Sequence, residues 1–141
     1  MSKLMLACSL TALALLASAC SSGATNISQG KIIKSAPADN NLTATISNET
    51  GELKHGDTEF MLTFTDASGK AVDVGAVGST FHMPAMGAMG AMNNQTSFTT
   101  TGTPGVYKGK AHIEMAGDWQ IQITYEGLAG RGQVSIPVTA R

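Results

Sequence analysis

Four methionines recur at every third position in one short segment of this 141-residue chain, and a histidine stands immediately before them. Only Pro, Ala and Gly separate the sulfur-bearing residues; the full set is His82, Met83, Met86, Met89 and Met92. A thioether is a soft, neutral ligand that suits Cu(I) and has no proton to lose before binding. The small spacers would let several sulfur atoms converge on one point. The segment therefore predicts a site for Cu(I), or for Ag(I) by the same chemistry, with His82 as an additional nitrogen donor.

The same segment also has an interpretation without metal. Methionine is unbranched and adapts to irregular surfaces, so a Met/Ala/Gly patch could dock on another protein. One or two of the methionines could instead fill gaps in the core. Pro84, Gly87 and Gly90 are poor strand residues, so a loop or an irregular edge is expected in each case. A metal-binding loop could serve copper buffering, copper resistance or copper delivery, the last by exchange with a copper-donor or copper-acceptor protein.

Other residues that could take part are isolated in the sequence. Met115 lies near the end of an alternating run and is expected in the core, with a supplementary sulfur ligand as the alternative. Trp119 is the only tryptophan and alternates with isoleucines, which indicates core packing. His112 falls on the polar side of its run and His55 at a turn, so neither is expected to bind metal.

Sequence signatures of catalysis or nucleic-acid binding are missing. The chain has two cysteines, Cys8 and Cys20, both at the N-terminal end, and no serine elbow, phosphate-binding glycine loop or His-Glu-x-x-His motif. The formal net charge is −1 and the Lys and Arg residues do not cluster, which argues against nucleic acid as a partner. We expect a binding protein rather than an enzyme.

The N-terminus resembles a bacterial lipoprotein signal. Lys3 precedes an apolar run that ends in small residues at position 19, and the next residue is Cys20. The resemblance implies removal of residues 1–19 and lipidation of Cys20, although Ala17 stands where Leu is more usual. An ordinary secretory signal that leaves Cys20 as a free thiol is the alternative. For a Gram-negative host, the resemblance to enterobacterial sorting patterns at Ser21 implies the periplasmic face of the outer membrane, with the lipid anchor as the membrane contact.

The remaining sequence predicts a tether followed by one β-domain. Residues 20–40 are rich in Ser, Gly, Ala, Asn and Gln, which is typical of a flexible linker. Residues 41–141 show short runs with a period of two, separated by Gly, Pro, Asn and Asp. We predict an all-β fold, an immunoglobulin-like antiparallel β-sandwich of about seven or eight strands, with a small closed barrel as the alternative.

Three segments in this predicted domain resemble the YtkA-like domain family. That family combines a Met-Pro-x-Met segment, a Gly-x-Tyr strand and a Met-x-Gly-x-Trp strand, which match residues 82–87, 105–109 and 115–121. The resemblance extends over roughly residues 40–138 and implies an immunoglobulin-like sandwich linked to copper handling. Similar domains accompany periplasmic heavy-metal efflux adaptors and FixH-like proteins. Met83 and Met86 occupy matching positions, whereas Met89 and Met92 extend the pattern and the histidine often found after Met-Gly is absent.

Overall fold

The computed structural model describes residues 30–141, which form eight β-strands. No segment in this part of the chain is a helix that could cross a membrane. The predicted signal sequence, Cys20 and the first part of the predicted tether lie outside the described residues. In chain order the strands are β1 (Lys31–Ala38), β2 (Leu42–Asn48), β3 (Gly56–Thr65), β4 (Ala76–Met83), β5 (Met92–Thr100), β6 (Val106–Ile113), β7 (Gly117–Gly127) and β8 (Gly130–Ala140).

All paired strands are antiparallel and form one folded sheet in the order β1-β2-β3-β6-β5-β4-β7-β8. Strand β5 holds the two layers together, because its first half pairs with β4 and its second half with β6. The layers face each other across aromatic contacts. Phe60 on β3 lies 5.8 Å from Phe81 on β4, and Phe64 on β3 lies 4.9 Å from Tyr125 on β7, between ring centroids. The all-β prediction is confirmed.

The core lies between the layers and follows the alternation seen in the sequence. On β7 the buried side chains are Trp119, Ile121, Ile123 and Tyr125, while the residues between them are exposed. The same alternation continues on β8. Because successive side chains of a strand point to opposite faces, each of these strands buries one apolar face and leaves a polar face in water.

Strand β1 corrects the predicted boundary between tether and domain. Residues 31–38 were assigned to the flexible linker, but they pair with β2 along their length, with one irregularity between Ile32 and Lys34. Side chains from β1, including Ile33 and Ala36, pack against the core. The sequence hides this strand because it is an end strand that carries lysines and Pro37, both of which are tolerated at a sheet edge.

The strand directions bring several chain segments to one end of the sandwich. In this antiparallel arrangement the start of β1, the end of β4, the starts of β5 and β7, and the end of β8 are all at that end. Backbone hydrogen bonds confirm that the two layers meet there: His55 N–H donates to Arg141 O at 2.9 Å, and Arg141 N–H donates to Leu53 O at 2.9 Å. We call this the methionine end, since Met83 and Met92 lie there.

Candidate functional site

The methionine segment forms the tip of one β-hairpin built from β4 and β5. Met83 lies opposite Met92 in the strand register. Met86 and Met89 exchange two backbone hydrogen bonds, of 3.0 and 2.9 Å, and so continue the same register beyond the strands. Gly87 and Ala88 occupy the turn. The hairpin therefore arranges methionines that lie three residues apart in the sequence as two cross-strand pairs, an inner pair of Met83 and Met92 and an outer pair of Met86 and Met89.

Glycine at position 87 explains why the turn is this tight. Gly87 has a φ of 56°, while Ala88 is not among the residues with positive φ. A two-residue hairpin turn with positive φ at its first central residue is of type II′, and glycine is favoured at that position. This turn twists in the same sense as the strands it joins, so the chain can reverse direction between Met86 and Met89.

The inner pair, Met83 and Met92, belongs to the hydrophobic core. Met83 is only 2% exposed, and Met92 is partly buried against the same cluster. A Cβ atom at Gly117 would lie 2.9 Å from Met83 Cε, so the absence of a side chain there makes room for the methionine methyl group. The thioether of Met83 thus fills space between the layers and is closed off from a metal ion in solution.

The outer pair, Met86 and Met89, has the opposite environment. The two side chains are 55% and 44% exposed, and all residues from 84 to 91 are exposed and uncharged. Directly opposed residues that exchange both hydrogen bonds have Cα atoms about 5.5 Å apart and side chains on the same face. Two flexible thioethers at that separation can approach one ion together. The outer pair offers two soft donors in open solvent.

His82 has one ring nitrogen occupied by a neighbour that the sequence did not suggest. Its Nδ1 lies 2.7 Å from Asn93 Oδ1, across the strand pair. Because an amide oxygen only accepts hydrogen bonds, Nδ1 carries the proton in this contact, which in the neutral ring leaves the lone pair on Nε2. His82 and Met86 are four residues apart, about 13 Å along a regular strand. The histidine can bind metal in principle, but not the same ion as the outer pair on a straight hairpin.

The structure therefore does not bring the five predicted ligands to one point. In the register of this hairpin, Met83 and Met92 project to the face opposite Met86 and Met89, and the difference in burial agrees. The four sulfur atoms form two separate pairs because the chain reverses between the second and third methionine. A Gly at the first position of a two-residue turn, as in Met-Gly-Ala-Met, was the sequence signal that could have indicated this.

The remaining candidates lie apart from the hairpin tip. Trp119 is 1% exposed, as expected for a core residue, and its indole N–H donates to the carbonyl oxygen of Met115 at 3.1 Å. His112 Nδ1 lies 2.8 Å from Asp57 Oδ1, and His55 Nδ1 lies 3.1 Å from the carbonyl oxygen of Arg141. Within residues 30–141 no group of three His, Cys, Asp or Glu side chains could hold a metal ion.

Charge is concentrated on another part of the sheet. Glu59 on β3 pairs with both Lys108 and Lys110 on β6, at 2.9 Å each. These hydrogen bonds, with Lys110 contributing most, lower the pKa of the Glu59 carboxyl below its ordinary value. The hairpin tip carries no charged residue, so any ion it binds must be held by sulfur lone pairs rather than by a carboxylate.

An antiparallel β-sandwich that presents a methionine hairpin at one end is the class of protein these features define. The sequence profile of the YtkA-like family matches residues 37–124, which is more than half of the chain and includes the whole hairpin. The chain belongs to the YtkA-like family. No curated protein and no solved structure matches it.

Proposed function

We propose that this protein is an envelope lipoprotein that binds Cu(I), or Ag(I), through Met86 and Met89, and exchanges the ion with a partner protein. Cys20 would carry the lipid anchor on the periplasmic face of the outer membrane. The larger ligand set predicted from the sequence is reduced to the outer pair, with His82 as a separate nitrogen donor. The rest of the domain holds the hairpin and supplies no ligand.

The observation that supports the proposal most directly is the reciprocal pairing of Met86 and Met89 across a two-residue turn. The pairing fixes both Cβ atoms on one face, so little backbone freedom is lost when an ion is bound. Neither side chain is packed against the core, and each can rotate towards the other. A methionine pair that served the fold alone would be expected to lie buried, as Met83 does.

The donor set determines which ions this pair can bind. Soft thioethers favour Cu(I) and Ag(I), whereas Zn(II) prefers thiolate, imidazole and carboxylate ligands. Two thioethers leave coordination positions open on the ion. A partner that supplied further donors could complete the coordination and withdraw the ion, which favours delivery or shallow buffering over permanent storage.

Titration with Cu(I) against a chromophoric competitor tests the proposal. We use the mature chain with Cys20→Ser, since an unlipidated thiol would itself bind copper. The double variant Met86→Leu/Met89→Leu should lose the Cu(I) binding of the parent chain, because leucine keeps the apolar volume but has no lone pair to donate. The control variant Met61→Leu, on strand β3, should bind like the parent. Binding that survives in the double variant would overturn the proposal.

A second candidate function is a metal-free interaction module. It is favoured by the exposure of the whole uncharged segment 84–91, which forms an apolar surface without any ion. The leucine variants separate the two functions. If the hairpin docks on an envelope complex through apolar contact, the double leucine variant should keep partner binding while showing no interaction with Cu(I).

A further inference from the structure

The described part of the chain begins at the methionine end. Gly30 lies directly before β1, whose first residue pairs with Asn48 at the end of β2. Ile33 and Lys34 of β1 line the same surface groove as Pro84, the first residue of the hairpin beyond β4. The point where the N-terminal segment enters the domain and the base of the hairpin are therefore neighbours on one end of the molecule.

The number of residues before this point limits how far the methionine end can be from the anchor. Ten residues lead from Cys20 to Gly30. A fully extended chain of ten residues spans about 35 Å, and a flexible linker of that length, as the composition predicts, would have a root-mean-square span of about 16–19 Å. The hairpin continues for four residues past the Met83–Met92 pair, or about 13 Å if it stays extended. The extended hairpin could therefore cover most of the average distance from Gly30 to the bilayer.

The chemistry of the tip fits a lipid surface. All residues from 84 to 91 are exposed, none is charged, and Met86 and Met89 present large apolar side chains that lie outside the hydrophobic core. Backbone groups of Met86 and Met89 are already paired with each other, which lowers the cost of bringing this segment into the headgroup region. Small Ala and Gly side chains keep the hairpin narrow.

The charged residues around the methionine end do not explain membrane contact by electrostatic attraction. Both signs are interspersed there, and Arg141 pairs with Glu52 at 3.5 Å. The other charged residues near this end include Lys31, Lys34, Glu49, Lys54, Asp57, Glu114 and Asp118. A mixed surface of this kind gives no net attraction to anionic lipid, so contact with the bilayer would have to come from apolar burial.

We propose that the hairpin tip, residues 84–91, inserts into the interfacial layer of the membrane that carries the anchor. The inference rests on the lipid-anchor part of the proposed function and is independent of metal binding. Interfacial amphipathic helices bury their apolar face about 5–10 Å into the headgroup boundary, and we expect the hairpin tip to reach a comparable depth.

The test uses mature, lipid-anchored protein in phosphatidylethanolamine/phosphatidylcholine vesicles, with a chelator present to exclude metal. The variant Ala88→Cys places a free thiol at the tip for an environment-sensitive fluorophore, since the lipid blocks Cys20. The control variant Leu128→Cys places the same label on a fully exposed turn at the opposite end. The Ala88 label should shift its emission to shorter wavelength and be quenched by brominated lipid, and the Leu128 label should do neither.

Two further outcomes decide the inference. The shift at position 88 should persist in high salt, and it should disappear when Met86 and Met89 are replaced by asparagine. Identical emission from the two labels, or a shift that salt abolishes, would overturn the inference. Because this experiment contains no metal and the copper titration contains no lipid, failure of one leaves the result of the other intact. Mass spectrometry of the mature chain separately reports whether Cys20 carries lipid.

Discussion

The four methionines of the hairpin differ in their roles, and the extent to which each side chain is buried distinguishes these roles. Met83 is 2% exposed and belongs to the hydrophobic core, while Met86, only three positions later, is 55% exposed. The free energy of folding depends on the first side chain through dispersion and burial of apolar area. The second contributes little to folding, which leaves it available for a ligand.

Alanine substitutions should show this difference directly. Met83→Ala should lower the free energy of unfolding by about 2–5 kcal/mol, because it removes buried volume and leaves a cavity between the layers. Met86→Ala should change it by less than about 0.5 kcal/mol, as is usual for exposed positions. Urea unfolding followed by Trp119 fluorescence measures both. Equal losses in the two variants would show that the tip packs against the domain in solution.

At the scale of elements, the hairpin depends on one backbone conformation. Gly87 has a φ of 56° and no atoms near the position of a Cβ, so substitution there meets a backbone penalty without a steric clash. Gly90 has equally open surroundings but no positive φ, which makes it a matched control. Comparing alanine substitutions at the two glycines therefore distinguishes an effect on the turn conformation from the loss of backbone flexibility that alanine causes at either position.

Gly87→Ala should destabilise the turn by about 1 kcal/mol, since a residue with a Cβ disfavours positive φ. The measurement is amide hydrogen exchange at Met86 and Met89, whose N–H groups donate across the turn. Their protection should fall roughly fivefold in Gly87→Ala, with weaker Cu(I) binding, because the thioethers are no longer held opposite each other. Gly90→Ala should keep both properties. A drop in protection in the Gly90 variant as well would assign the effect to flexibility.

Most of the strands could be predicted from the sequence because they bury only one face. Strands such as β7 alternate strictly, and the period of two is visible without any knowledge of the fold. Strand β1 was missed because an end strand with Pro37 shows no such period. The hairpin was missed for a different reason: spacing along the chain does not reveal where it reverses, and one tight turn at Gly87 decided which sulfur atoms meet.

At the scale of the whole molecule, two buried tyrosines make hydrogen bonds to loop residues at the end opposite the methionines. Tyr107 O–H lies 3.1 Å from Asp73 Oδ1 and 3.0 Å from Gly75 O. Tyr125 O–H donates to Asp39 O at 2.7 Å. Burial raises the pKa of both phenols above their ordinary value of 10.0; the Asp73 contact adds to the shift at Tyr107, and the charge of Asp39 adds to that at Tyr125.

These shifts predict a loss of stability in alkali. A group whose pKa is higher in the folded state binds its proton more tightly there, so the stability it contributes is complete below pH 10 and declines as the pH rises above it. Chemical unfolding between pH 8 and 12 should show this decline. Tyr107→Phe should cost about 1 kcal/mol at neutral pH through the lost hydrogen bond. The variant should also show a smaller alkaline decline, and an unchanged slope would exclude Tyr107 as a cause.

The exposure of the outer methionine pair also makes it the most oxidisable part of the domain. Peroxide transfers an oxygen atom to a thioether, giving a sulfoxide and water, and accessible sulfur reacts before buried sulfur. A sulfoxide is polar and no longer a soft sulfur donor, so a single chemical event at Met86 or Met89 would end both ion binding and contact with lipid. Met83, shielded between the layers, would keep the fold intact, and peptide mass spectrometry after mild peroxide treatment would show that order of reaction. Oxidising conditions would thus remove the binding properties proposed for the hairpin without unfolding the protein that carries it.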